Sequence, residues 1–258
     1  MAELPDLTVY ARILSRRFVG KTLKKLDVKV AKKLNVTVDE LQDAIVGKKL
    51  TDVSRYGKTL HFHFSGDTVL QIHLMLRGEL ALLSKENPDP KYGILGFTFT
   101  GGEGFAVTDL LRQATPTLHP ESANAPDALE IKLAELGAVL SKSKKMVKEV
   151  LMDQKKMRGI GNSYADEILW HARISPFSIA NAIPEKAVKK LLSSMGTVLN
   201  KAIEEIAEEN GDELHGELRD VMKVHGAKIE KSPGGAVIKS EKIGGRTSYY
   251  TDEQELYN

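Results

Sequence analysis

The chain has 258 residues, of which 41% are hydrophobic and 28% charged, with a formal net charge of +2 and no cysteine. That composition belongs to a globular protein with core enough for one large domain or two moderate ones. It excludes disulfides, thiol nucleophiles and thiolate metal ligands, and no apolar run approaches the ~20 residues a membrane span needs.

The first predicted element is a helix. Pro5 suits a first helical turn, where its missing N–H is no loss. Leu7, Tyr10, Ala11, Ile13, Leu14 and Phe18 then fall at helical spacing. Either the residues before it are a frayed end, or the helix holds the amino terminus in place as a working group. To about Thr115 the chain then reads mostly as β. "TLHFHF" (59–64) alternates and stops at "SGD", and "TVLQIHLMLRGELALL" (68–83) follows as the other arm of a hairpin. "GILGFTFT" and "FAVTDLL" form a second pair around a Gly-rich turn. Proline-punctuated "TPTLHPESANAP" marks a linker. Beyond it the period becomes 3.6: "SKKMVKEVLMDQ" (143–154) is basic and amphipathic, and 185–209 carries one long apolar stripe. The tail returns to Gly-rich, β-prone sequence, "SPGGAVIKSEKIGGRTSYY" (232–250). A β-rich half, a helical half and a small C-terminal hairpin are expected. The N-terminus lacks the apolar stretch of an export signal, which points to the cytoplasm.

Charge is divided unevenly. Residues 12–33 hold nine Lys/Arg against one acid, 142–158 seven against two, and 219–246 seven against three. Residues 201–217 reverse this, with one Lys and seven acids. Any single run reads as a solvated face. Three separated basic runs suggest a basic face for a polyanion, with the acids turned away.

Three features bear on chemistry. In "MRGIGNSYADEILWHARISP" (157–176), Gly159 and Gly161 can bare backbone N–H groups in a tight turn, and Asn162 can cap the helix that follows. A turn feeding a helix N-terminus suits phosphate, although a purely structural helix–turn–helix explains the pattern equally. His61, His63 and His73 fall on one sheet face if the hairpin turns at Ser65–Asp67. Three imidazoles can bind zinc; strand positions facing solvent or the polyanion are the plainer reading. The third feature is the amino terminus, Ala2–Glu3.

The segment 157–176 resembles the helix–two-turn–helix signature of the Fpg/Nei DNA glycosylases, the bacterial formamidopyrimidine and endonuclease VIII family. "ELPD" resembles that family's start, "SRYGKTLHF" and "LQIHLMLRGEL" its hairpin-lysine motif and next strand, and "KIGGRTSYY" the last hairpin of its zinc finger. The matches keep the family's order and span nearly the whole chain. The resemblance implies an α+β, multidomain fold. Residues 1–115 would form an N-terminal catalytic β-sandwich with its opening helix, and 116–130 a linker. Residues 131–223 would form the helix–two-turn–helix domain and 224–258 a zincless β-hairpin finger.

It also implies a bifunctional glycosylase/abasic-site lyase of base excision repair. Such an enzyme flips a damaged base from DNA, removes it through a Schiff base and nicks the strand by elimination. By matched position, Ala2 would be the nucleophile once Met1 is removed, where the family usually has proline. Glu3 would be the acid/base, and Asp6 stands where glutamate is common. Lys58 would reach the backbone beside the lesion, while His73, Lys155, Gly161, Asn162 and Arg246 would contact DNA. Leu76, Leu111 and Gln113 stand where the family places void-filling methionine, arginine and phenylalanine. Lys231, Gly234, Thr251 and Gln254 stand where four cysteines would sit. No metal or cofactor is expected. The partner would be damaged duplex, abasic or single-stranded DNA, with no membrane, for a monomeric, nucleoid-associated bacterial protein. A catalytically weak lesion-binding protein on the same scaffold is the alternative. A sequence-specific helix–turn–helix regulator is a third reading, but it accounts for neither "ELPD" nor the hairpin lysine.

Overall fold

The computed structural model describes residues 1–84, 87–122, 124–214, 217 and 220–258. The chain folds as two compact units: Met1–Ala123 with Ile206–Leu218, and Asn124–Glu205 with Arg219–Asn258. The helical segment and the C-terminal hairpin thus belong to one unit, although the sequence suggested separate ones.

The first unit opens with α1 (Leu4–Phe18). Then come β1 (Leu23–Val28), α2 (Val38–Ile45), β2 (Leu50–Tyr56), β3 (Thr59–Phe64), β4 (Thr68–His73), β5 (Gly78–Leu83), β6 (Gly93–Phe99), β7 (Gly104–Asp109) and β8 (Thr115–Leu118). Two four-stranded sheets form, in the orders β1-β6-β7-β5 and β2-β3-β4-β8. Burial alternates along β3 and β4 with period two, so Leu60, Phe62, Leu70 and Ile72 face the core. Phe97 and Phe105 stack at 4.6 Å, Phe62 lies 5.3 Å from Phe105, and Phe18 of α1 stacks on Phe99 at 4.9 Å. Each such ring pair contributes about 0.5–1.5 kcal/mol beyond its buried area.

Three sequence expectations change here. The stretch 68–83 is not one hairpin arm: β4 pairs with β3 in one sheet and β5 with β7 in the other. The break falls at 74–77, where Met75 has φ +60° and the Gly78 N–H closes a turn onto Leu74 O. A Cβ on Gly78 would lie 2.0 Å from that oxygen, so only glycine fits the switch. Helix α2 interrupts the β-rich half, started by a Thr37–Glu40 capping box. The stretch read as linker from 116 begins inside β8, which pairs with β4.

The second unit holds α3 (Leu133–Ser141), α4 (Val147–Met152), α5 (Asn162–Ala172) and the body of α6 (Glu185–Asn210), then β9 (Lys239–Ile243) and β10 (Arg246–Tyr250). The basic helix expected over 143–154 is shorter, because Met146 is extended (ψ 139°) and bridges Ile179. Gly244 and Gly245, at φ +56° and +77°, supply the two left-handed residues that a tight β9–β10 turn demands.

The charge runs do not simply segregate. Arg16 pairs with Asp212, Arg17 with Glu213 and the Asp212 carbonyl, Lys21 with Glu103, Lys25 with Asp27 and Lys29 with Asp89. Part of the acidic run is therefore folded onto the first basic run instead of turned away from it. In the second unit Lys142, Lys144, Lys145, Lys155, Lys242 and Arg246 stay exposed. Arg219, which opens the third basic run, lies outside the described residues. No helix among the described residues is long and apolar enough to cross a membrane.

Candidate functional site

The amino terminus is ordered by the helix behind it. Glu3 is the N-cap of α1 and forms a capping box with Asp6, whose Oδ2 accepts the Glu3 N–H at 2.9 Å. Ala2 is 4% and Glu3 2% exposed, and Ala2 packs into the core with Leu7 and Tyr10. The end is therefore held and not frayed. With Met1 present, the α-ammonium belongs to Met1 and ion-pairs with Glu217, while the Ala2 nitrogen is a peptide nitrogen.

On the second sheet of this unit, Lys58 sits in the β2–β3 turn and is buried. Its ammonium lies near enough to His73, at the end of β4, to depress the imidazole's basicity; burial of the ring is the larger cause. The Met75 N–H donates to His73 Nδ1 at 2.9 Å. The neutral ring therefore keeps its proton on Nε2, as a donor. His61 and His63 share this sheet face, as alternation requires, and engage Thr59 and Ser54. Among the described residues no group of three His, Asp or Glu is arranged to hold a metal.

Gly78 of β5 pairs with Asp109 of β7, so loops 74–77 and 110–113 emerge from the same end of that ladder. Asp109 is buried and accepts backbone N–H bonds from Leu111, Gln113 and Ala114 at 2.6–2.8 Å. This cap fixes a loop that presents Leu110 and Leu111 at 57% and 46% exposure, with Leu76 at 55% in the other loop. Exposed leucines gathered at one end are unusual on a free surface. Arg112 stands one residue past Leu111, in a left-handed conformation (φ +52°), and is exposed like Gln113.

In the second unit the turn before α5 is stapled by Gln154. Its amide donates to Met152 O and Ile160 O, and its carbonyl accepts from Gly159 N–H, at 2.8–3.0 Å. Gly159 has φ +110°, which a side chain would oppose. Gly161 is the N-cap and Asn162 the first residue of α5. One Asn162 amide hydrogen goes to Thr247 O at 2.9 Å, tying turn to hairpin, and its Oδ1 is buried without a hydrogen bond. Lys155 is exposed in the turn, and exposed Arg246 reaches Met152 Sδ at 4.0 Å. Two exposed cations beside the turn that starts a helix are a combination whose chemistry suits an anion.

Beneath lies a buried ionic cluster. Lys148 of α4 pairs with Asp166 of α5 at 2.7 Å, both fully buried, and donates to Ser248. Asp166 also accepts from Tyr249 N–H and bonds His225 Nδ1 at 2.7 Å. Next to it, Glu167 takes the N–H groups of Lys223, Val224 and His225. Burial raises its pKa despite those bonds. Sequence reasoning passed over Asp109, Gln154, Asp166 and Glu167. Two adjacent acids inside the apolar helix "SYADEILW" were the available signal, since acids are seldom fully buried without partners.

Residues 1–115 match the formamidopyrimidine-DNA glycosylase N-terminal domain and 123–224 the formamidopyrimidine-DNA glycosylase H2TH domain. The formamidopyrimidine-DNA glycosylase of Lactobacillus gasseri is 30% identical over 100% of both chains. That of Streptococcus mutans is 29% identical over 97% of each. A structure of Lactococcus lactis Fpg with an abasic-site-containing DNA superposes with a TM-score of 0.86 at 26% identity, covering 98% of this chain and 100% of that one. A complex of the same protein with N7-benzyl-Fapy-dG-containing DNA gives the same values.

Proposed function

Because this chain belongs to the formamidopyrimidine-DNA glycosylase family, we propose that it is a base excision repair glycosylase that also cleaves the strand at the abasic site it makes. The observation that carries the reading is the terminus: Ala2 and Glu3 are buried and fastened by the capping box. Removal of Met1 leaves a primary α-amine on Ala2. Such an amine has a pKa near 8, so an appreciable neutral fraction exists at physiological pH, and the α1 N-terminus favours that form further.

The amine attacks C1′ of a flipped nucleotide, the glycosidic bond breaks and the base leaves with a proton. Glu3 delivers a proton to the ring oxygen as the sugar opens to an iminium. Loss of a 2′ proton then expels the 3′ phosphate, and water hydrolyses the imine to return the amine. Lys58 and the Nε2–H of His73 hold phosphate in the first unit, as Lys155, the Gly161–Asn162 turn and Arg246 do in the second. Leu76 and Leu111, with Gln113 beside them, fill the space a flipped base vacates. Leu110 extends that apolar tip. Leu111 lacks the guanidinium donors that would read an orphaned partner base from that position, so weaker discrimination among opposite bases is expected.

Borohydride trapping on abasic-site duplex DNA tests the reading, with Met1 removal verified by intact mass. A covalent adduct on Ala2 is expected. The alternative, a lesion-binding protein without chemistry, is favoured for any chain that keeps Met1, whose amine is engaged by Glu217. If fully processed protein binds abasic DNA yet forms no adduct, the enzyme reading is lost and the binding one stands.

A further inference from the structure

The family resemblance brings a zinc finger to the C-terminal hairpin, and the residues at that place do not fit the metal. Lys231, Gly234, Thr251 and Gln254 supply no thiolate or imidazole, so the donor set of a structural zinc site is missing. The space is also taken. A Cβ built on Gly234 would lie 2.4 Å from Glu253 Oε1, so a side chain directed inward from 234 would meet that carboxylate.

Glu253 draws together chain segments far apart in sequence. Its Oε2 accepts from the Trp170 indole N–H at 2.9 Å, from Ser232 Oγ at 2.8 Å and from Thr251 Oγ1 at 3.1 Å. Its Oε1 pairs with the Arg173 guanidinium at 2.9 Å. Arg173 in turn lies 5.0 Å over the Trp170 ring. Ser232 and Thr251 are buried. The periphery is closed by backbone bonds: Gln254 accepts the Thr251 N–H at 2.9 Å and donates to Ile174 O at 2.8 Å, while the Ser232 N–H donates to Ala236 O. Thr251 and Gln254, two of the positions aligned with cysteines, are thus neutral members of this network.

We propose that the Glu253 carboxylate is the organising centre of the C-terminal hairpin in place of a metal, and that it positions Arg246 for the phosphate backbone. A carboxylate offers about four lone-pair sites, and here three hydrogen-bond donors, Trp170, Ser232 and Thr251, and the paired Arg173 guanidinium converge on it. Hydrogen bonds to a charged acceptor are the strong ones. The hub joins the hairpin's two flanks to α5, as a tetrahedral ion would join four ligands. Glu253 touches neither substrate nor the reacting amine, so it is a positioning residue. Its link to DNA rests on the reading of Arg246 as a phosphate contact.

The chain's single tryptophan is itself a ligand of the hub, which gives a direct readout. Intrinsic fluorescence and amide hydrogen exchange of the full-length protein are to be compared for wild type, Glu253→Gln and Ser232→Ala, each before and after dialysis against a chelator. Glu253→Gln is expected to shift Trp170 emission and to lower exchange protection over 239–250 by about tenfold or more. Ser232→Ala keeps the carboxylate and guards against a Glu253 variant that fails to fold; its loss of protection is expected to be smaller, about threefold. Chelation is expected to change nothing. Unchanged emission and protection in both variants, or a wild-type hairpin loosened by the chelator, would overturn the proposal. Affinity of wild type, Glu253→Gln and Arg246→Ala for abasic duplex then separates the two readings. If the hub variants loosen the hairpin while Arg246→Ala binds as wild type does, the phosphate role of Arg246 fails. The positioning half fails with it, and the hub stands as the hairpin's organiser.

Discussion

The end of the first unit's β5–β7 ladder and the C-terminal hairpin of the second both depart from the family's pattern, and they answer the departure differently. At the ladder end, this chain carries Leu111 and Gln113 where the resemblance would put arginine and phenylalanine. The loop keeps its shape through Asp109, and the side-chain donors in it, Arg112 and Gln113, lie one and two residues past the leucine. At the hairpin, the chain carries Lys231, Gly234, Thr251 and Gln254 where the resemblance would put thiolates, and a network centred on Glu253 ties the hairpin to α5. The difference is physical. A hairpin of two five-residue strands has little core, so it requires an anchor of some chemistry. A loop that enters DNA needs a fixed backbone, and its tip residues set selectivity without setting stability.

The largest effect is expected where both regions are bypassed. Ala2→Leu, whose bulk keeps Met1 in place, is expected to lower abasic-site trapping by roughly a thousandfold; because Ala2 is buried, urea unfolding of the variant is measured alongside to separate loss of the nucleophile from overpacking. Next comes the support beneath the hairpin. Lys148→Ala leaves Asp166 as a buried charge without its cation and is expected to destabilise the second unit by about 3–5 kcal/mol in urea unfolding. A variant that unfolds like wild type would mean the cluster is solvated and the two regions are more alike than described.

Leu111→Arg restores a donor to the ladder tip. It is expected to create a preference among opposite bases of about tenfold in excision rate, with stability unchanged. Acid is expected to act least. Donors led by the Trp170 indole, with the facing Arg173, hold the Glu253 carboxyl down to about 2 from its ordinary 4.5. A depressed carboxylate contributes stability that is complete above about pH 4.5 and is lost as pH falls toward 2. Trp170 emission is therefore expected to stay flat from pH 8 to 5 and to move only below about 4. A transition near neutrality would overturn the assignment of the anchor to Glu253.

Much was legible in the residues themselves. Pro5 with the apolar stripe to Phe18 predicts α1, "TLHFHF" predicts β3 to the residue, and the paired glycines before Arg246 predict the last turn. Asn162 is legible in its Gly-x-Gly-Asn turn, whereas Ala2, Glu3 and Lys58 come from their match to short family motifs. What escaped depends on distant partners. Nothing within 68–83 says that its halves join different sheets, since the Met75–Gly78 switch matters only once β7 is present to receive β5. Nothing in "RRF" announces that Asp212 and Glu213, nearly 200 residues on, will cover those arginines.

The sequence by itself determined the chemistry on offer: no thiolates, a small second residue followed by an acid, a Gly-x-Gly-Asn turn and leucines at 76, 110 and 111. The tertiary structure alone decided which groups are charged, covered or paired, because burial and hydrogen bonding depend on which segments meet. Only there does Glu253, an unremarkable acid near the end of the chain, become the point on which Trp170, Arg173, Ser232 and Thr251 converge.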